Sequence, residues 1–204
     1  MIIESLKKDK AFRINFITLL SSVINGMYAL GNLVLGIMSG SYWFITSGAY
    51  FLALCVMRAG CISALRSKNE KKLRVGRLVG LLLIFLCIVL VGSIILSDRL
   101  DVVKPMHKIL MIAIAAFTTA KTTVAIVNIV KVQKTGNPIW IAIRNISCAD
   151  AAGSILTMQR TMLISFGENM EISRIKLMNL LTGIGVCLIV LFLGVRLLRK
   201  NKNK

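Results

Sequence analysis

The chain has 204 residues, of which 56% are hydrophobic and only 17% charged, with two prolines and a mean hydropathy of +0.79; this composition excludes an ordinary soluble domain. Its 26 Lys+Arg against 8 Asp+Glu give a net charge of +18. The basic residues gather at the ends of apolar runs rather than among exposed aromatics, which argues for orientation in a bilayer and against a nucleic-acid partner.

The first element follows Lys7, Lys8, Lys10 and Arg13, a beginning that looks like a secretory leader. The apolar run continues to Met38, carries Asn25 and Asn32, and ends without a small-x-small cleavage site, so it reads as a retained first membrane helix. A spanning helix needs about 20 mostly apolar residues, and six runs meet that need: 13–38, 42–65, 77–97, 105–130, 138–166 and 174–198. The expected fold is all-α, a polytopic membrane protein whose residues 1–204 form a single six-helix transmembrane domain. Residues 1–13, the 66–77 and 131–137 loops and the tail with Arg196, Arg199, Lys200, Lys202 and Lys204 are basic, whereas the alternate loops are nearly neutral. Basic loops stay in the cytoplasm, which puts both termini there.

Polar residues inside the runs are the candidates for function. Helix one carries Thr18, Ser21, Asn25, Tyr28 and Asn32 at steps of three and four, and helix five carries Ser147, Asp150, Ser154, Thr157 and Thr161 in the same way. Each set forms one narrow stripe. Helix four has Thr118, Lys121, Thr122 and Asn128 near one face. Such stripes turn away from lipid, because an unpaired polar group in hydrocarbon costs several kcal/mol. Ser and Thr also serve as ordinary helix-packing residues; Asn25, Asn32, Lys121 and Asp150 are harder to account for that way, since strongly polar side chains at depth mark a pathway or a specific pair. Arg58, Arg144 and Arg160 lie nearer the helix ends, about 9–12 Å in, where an arginine can snorkel to the surface. Lys121 and Asp150 lie deeper, about 15 and 18 Å from the cytoplasmic side, and are expected to form an ion pair.

Several strings in this order resemble the transmembrane domain of the cation diffusion facilitator family, which exports zinc, manganese and related ions in exchange for protons. They are the turn "GIMSGS" (Gly36 to Ser41), the basic loop "KKLRVGRLVG" (Lys71 to Gly80) and the helix-five opening "NPIWIAIRNISCADAAGS" (Asn137 to Ser154). The resemblance implies six helices with cytoplasmic ends, a homodimer, and a divalent cation or proton as ligand. The family's four metal-ligand positions fall on Tyr50, Leu54, Ile146 and Asp150, of which only Asp150 keeps a ligand side chain. Zinc needs about four N, O or S donors, so no confident metal site is expected. Lys121 would take the place of the ion.

The pathway candidates are therefore Asp150, Lys121, Tyr50, Asn25, Asn32, Ser147, Ser154 and Thr157. The favoured function is a transporter of this type with a degenerate site and unassigned cargo, in the plasma membrane of a bacterium. The runner-up is a non-transporting structural or regulatory membrane module. The substrate-binding subunit of a vitamin importer ranks third, because its small-x-x-x-small docking face on helix one is met here only by Asn25 with Ala29. No enzyme is expected: there is no H-E-x-x-H or G-x-S-x-G, and the one histidine, His107, lies at a helix end. No cofactor is expected either. Cys55, Cys61, Cys87, Cys148 and Cys187 stand singly with no C-x-x-C pair, which argues against a disulfide framework or a thiolate zinc site.

Overall fold

The computed structural model describes residues 10–65, 69–100, 112, 115–120, 122–123, 138–166 and 171–202. It is all-α, with α1 (Lys10–Ser39), α2 (Tyr42–Ala64), α3 (Asn69–Leu100), helical residues of α4 within 112–123, α5 (Pro138–Phe166) and α6 (Ile172–Lys202). No strand occurs among the described residues. Hydrocarbon offers the backbone no partner, so a run must satisfy its own N–H and C=O groups, and a helix does so within one segment. Spans within α2, α3, α5 and α6 are long and apolar enough to cross a membrane.

Two boundaries differ most from expectation. α3 begins at Asn69 rather than near 77, and α6 runs on to Lys202 rather than 198. Lys, Arg, Glu and Leu are good helix formers, so "NEKKLRVGR" and "RLLRKNK" extend the helix beyond the apolar run. Hydropathy marks where lipid contact stops, not where the helix does. Most of the fourth predicted helix, including Lys121 and Asn128, lies outside the described residues.

α1 and α2 form a tight antiparallel hairpin. α1 ends in a Schellman-type turn: Gly40 has φ +63°, and Ser41 N–H donates to Gly36 C=O at 3.1 Å. A Cβ added at Gly36 would lie 2.6 Å from the backbone N of Ile45, so the hairpin closes only with glycine there. The "GIMSGS" string is thus explained by turn geometry alone. α3 and α6 make a second close pair, in which a Cβ on Gly80 would meet the Gly194 carbonyl at 3.2 Å, and one on Gly194 the Gly80 carbonyl at 3.1 Å. Small residues let helix backbones approach where hydrophobic driving force is absent. The far faces of this pair, with Leu81, Phe85, Ile88, Leu181, Leu188 and Phe192, are exposed, as suits surfaces meant for lipid.

α5 packs against α2, α3 and α6. Asn145 Nδ2 donates to Leu193 C=O of α6 at 3.2 Å, and Tyr50 Oη of α2 donates to Ala149 C=O at 3.0 Å. This central helix sets the position of Asp150.

Candidate functional site

Asp150 is 2% exposed and sits where α1, α2 and α5 converge. Asn25 Nδ2, from α1, donates to Asp150 Oδ2. From α2, Arg58 brings Nη2 to 3.7 Å from the same oxygen and donates from Nη2 to Ser147 Oγ at 3.0 Å. Ser147, one turn before Asp150 on α5, donates its own hydroxyl to Ile143 C=O at 3.0 Å. The result is a small polar centre in which one carboxylate, one guanidinium, one amide and one hydroxyl meet from three helices. Such a buried pair persists only where further hydrogen bonds satisfy its remaining polar atoms, and Asn25 and Ser147 supply two.

The periodicity of α1 and α5 had placed three of these residues on inward faces, and the structure brings Asn25, Ser147 and Asp150 together. Arg58 corrects the snorkelling expectation. It is 2% exposed and turned into the bundle. A signal for it existed, because Tyr50, Leu54 and Arg58 repeat at steps of four on one face of α2, so the face that packs on α5 reaches the arginine on its third turn. Lys121, the partner expected for Asp150, lies outside the described residues. Arg160 is likewise turned inward, its guanidinium 4.4 Å from the centre of the Trp43 ring. That contact gives the cation a π face in place of water. Arg144 is half-buried.

The remaining candidates take other roles. Ser154 Oγ donates to Asp150 C=O at 2.8 Å and Thr157 Oγ1 to Gly153 C=O at 3.0 Å, so both hydroxyls close on their own helix. Tyr50 seats its ring on Gly153, where an added Cβ would lie 2.6 Å from Cε1. Asn32 donates from Nδ2 to Tyr28 C=O at 2.8 Å and does not reach the Asp150 centre. Together with Thr157 it lines a cavity of about 310 Å³ whose walls include Tyr28, Phe44 and Phe117. Tyr28 stacks on Phe117 of α4 with centroids 5.3 Å apart. The α1 wall of the cavity runs from Ile24 to Leu35, so the cavity extends from the level of Asn25 toward the α1–α2 turn, with Asn32 about 10 Å beyond Asn25.

Leu54 and Ile146, at two of the positions the resemblance aligns with metal ligands, are buried apolar residues. Among the described residues no group of three or more His, Cys, Asp or Glu comes together to hold a metal ion. At Asp150 the neighbouring cation is a guanidinium, whose five N–H donors suit a carboxylate and a hydroxyl.

No family model, no curated protein and no solved structure matches this chain.

Proposed function

We propose that the chain is a cation-handling membrane transporter, resembling the cation diffusion facilitators in plan, with Asp150 balanced by an arginine where a metal ion would otherwise lie. One observation carries the reading: a carboxylate buried at the convergence of α1, α2 and α5 and held beside a guanidinium that could have reached the surface. Ionisable groups are expensive at depth and mark pathways by default. The proposal includes cytoplasmic termini, a bacterial plasma membrane and a homodimer. Reporters fused after Lys204 and inserted at 66–68 are expected to read cytoplasm, and one inserted at 101–104 the exterior, following the basic loops. An exterior signal at 66–68 would overturn this topology.

The second reading, a non-transporting membrane module, draws on the seam between α2 and α5. With the Tyr50 ring on Gly153, the cavity left there is about 10 Å³, room for no more than about one water. The vitamin-importer reading loses its docking face, since Asn25 and Ala29 are both buried inside the protein. Purified protein in sealed vesicles separates the first two. Transport predicts an imposed gradient of sodium, potassium, guanidinium or zinc to drive cation or proton movement above that of empty vesicles, and to do so less in Asp150→Asn. Absence of movement for every ion and for a pH jump leaves the non-transporting module.

A further inference from the structure

Arg58 has a choice that Asp150 lacks. It lies six residues before Ala64, the last residue of α2, about 9 Å along the axis, so an outward rotamer would carry its charge toward the membrane surface. Instead it is buried with Nη2 on Ser147 and beside Asp150. The two acceptors it meets, a carboxylate and a hydroxyl, both belong to α5, and the same carboxylate oxygen also accepts from Asn25 of α1. Both acceptors thus keep a hydrogen bond that does not involve Arg58, Ser147 to Ile143 C=O and Asp150 from Asn25. Without Arg58 they would remain as a preformed cation site.

We propose that Asp150, Ser147 and Asn25 form a binding site for a monovalent cation of guanidinium or alkylammonium type, and that Arg58 is its tethered resident occupant. Charge selects the class. A monovalent ion exchanged for Arg58 leaves the Asp150 charge balanced, whereas a divalent ion beside this single carboxylate leaves a net positive charge in hydrocarbon, at a cost of several kcal/mol. Geometry narrows it further, since the site already accommodates a planar N–H donor at 3.0 Å from Ser147 Oγ. In transport the arriving cation would replace Arg58, which swings toward the end of α2. The inference deepens the transporter reading and rests on it for that movement.

The site is tested apart from the movement by thermal melting of detergent-solubilised Arg58→Ala, with guanidinium, methylammonium or zinc as probe and choline as the control at equal ionic strength. Arg58→Ala is expected to melt below the wild type and to regain at least half of the loss in about 10 mM guanidinium, because a ligand that binds only the folded state stabilises it. Choline should not restore it, the wild type should not respond, and Arg58→Ala/Asp150→Asn should not respond. Loss of the response in every probe, an equal response in the wild type, or a response that survives Asp150→Asn would overturn the site; stronger rescue by zinc than by guanidinium would overturn the monovalent assignment. If Arg58→Ala does not fold, Arg58→Gln, which keeps a donor for Ser147, is judged by the same criteria. A protein that passes this melt but moves no cation in vesicles keeps the site and loses the transporter reading, and one that transports but fails the melt loses the site alone.

Discussion

Arg58→Met is expected to cost about 3–5 kcal/mol of stability and Asp150→Leu less, and the double variant is expected to recover most of the Arg58→Met loss. The reason lies in what each change leaves behind. Asp150→Leu leaves a guanidinium that can turn toward the end of α2, whereas Arg58→Met leaves a carboxylate at 2% exposure held by Asn25. The pair replaced together by apolar side chains of similar volume leaves no buried charge from either residue. Denaturation in detergent read as a double-mutant cycle should give an interaction energy of about 3 kcal/mol or more. A double variant as unstable as the sum of its parents would show that the two residues do not share their charge. Lys121→Met added to each single variant asks the same question of the partner expected from sequence.

Gly153→Ala is expected to destabilise by about 1–3 kcal/mol, the usual range for overpacking a well-filled interior. Its Cβ would lie 2.6 Å from Cε1 and 3.4 Å from Cδ1 of Tyr50. Tyr50 cannot readily yield, because it is buried and its hydroxyl is held by Ala149 C=O one turn away on the same helix as Gly153. Tyr50→Leu in the same chain removes the ring and should offset part of the loss, whereas Tyr50→Phe keeps the ring and should offset none, costing about 1 kcal/mol more for the missing hydrogen bond. Equal behaviour of the two double variants in a melt would show that α2 and α5 are not in contact at this level.

The all-α fold and the inward face of Asp150 were legible because both follow from counting: apolar run length against bilayer thickness, and a period of three and four along α5. Asn25 was legible for the same reason. Arg58 was not, because its distance from the end of α2 allows two rotamers of opposite direction, and the choice is made by Ser147 and Asp150, 89 and 92 residues further along the chain. Asn32 and Tyr50 show the other limit. Asn32 lies on the α1 stripe and Tyr50 on the α2 face that packs on α5, yet Asn32 spends its amide on Tyr28 C=O and Tyr50 crosses to a backbone carbonyl of α5. Periodicity reports which way a residue faces but not which acceptor lies within its reach.

The unequal helices have a consequence for how the protein enters the bilayer. The α5 span has a mean hydropathy of 1.2 and is 72% buried within the protein, whereas the α3 span reaches 3.2 and the α6 span 2.4, with 39% and 33% buried. Arg144, Asp150 and Arg160 each oppose partition of an isolated helix, a central Arg or Asp by about 2.5–3.5 kcal/mol. On leaving the insertion machinery α3 and α6 are stable in lipid as separate segments, and α5 is not. The α1–α2 hairpin, synthesised earlier and carrying Asn25 and Arg58, supplies the partners that α5 needs. Membrane residence of the central helix is therefore an outcome of assembly with helices already in place, and an arrest of synthesis before α5 leaves the arginine of α2 to find the membrane surface instead.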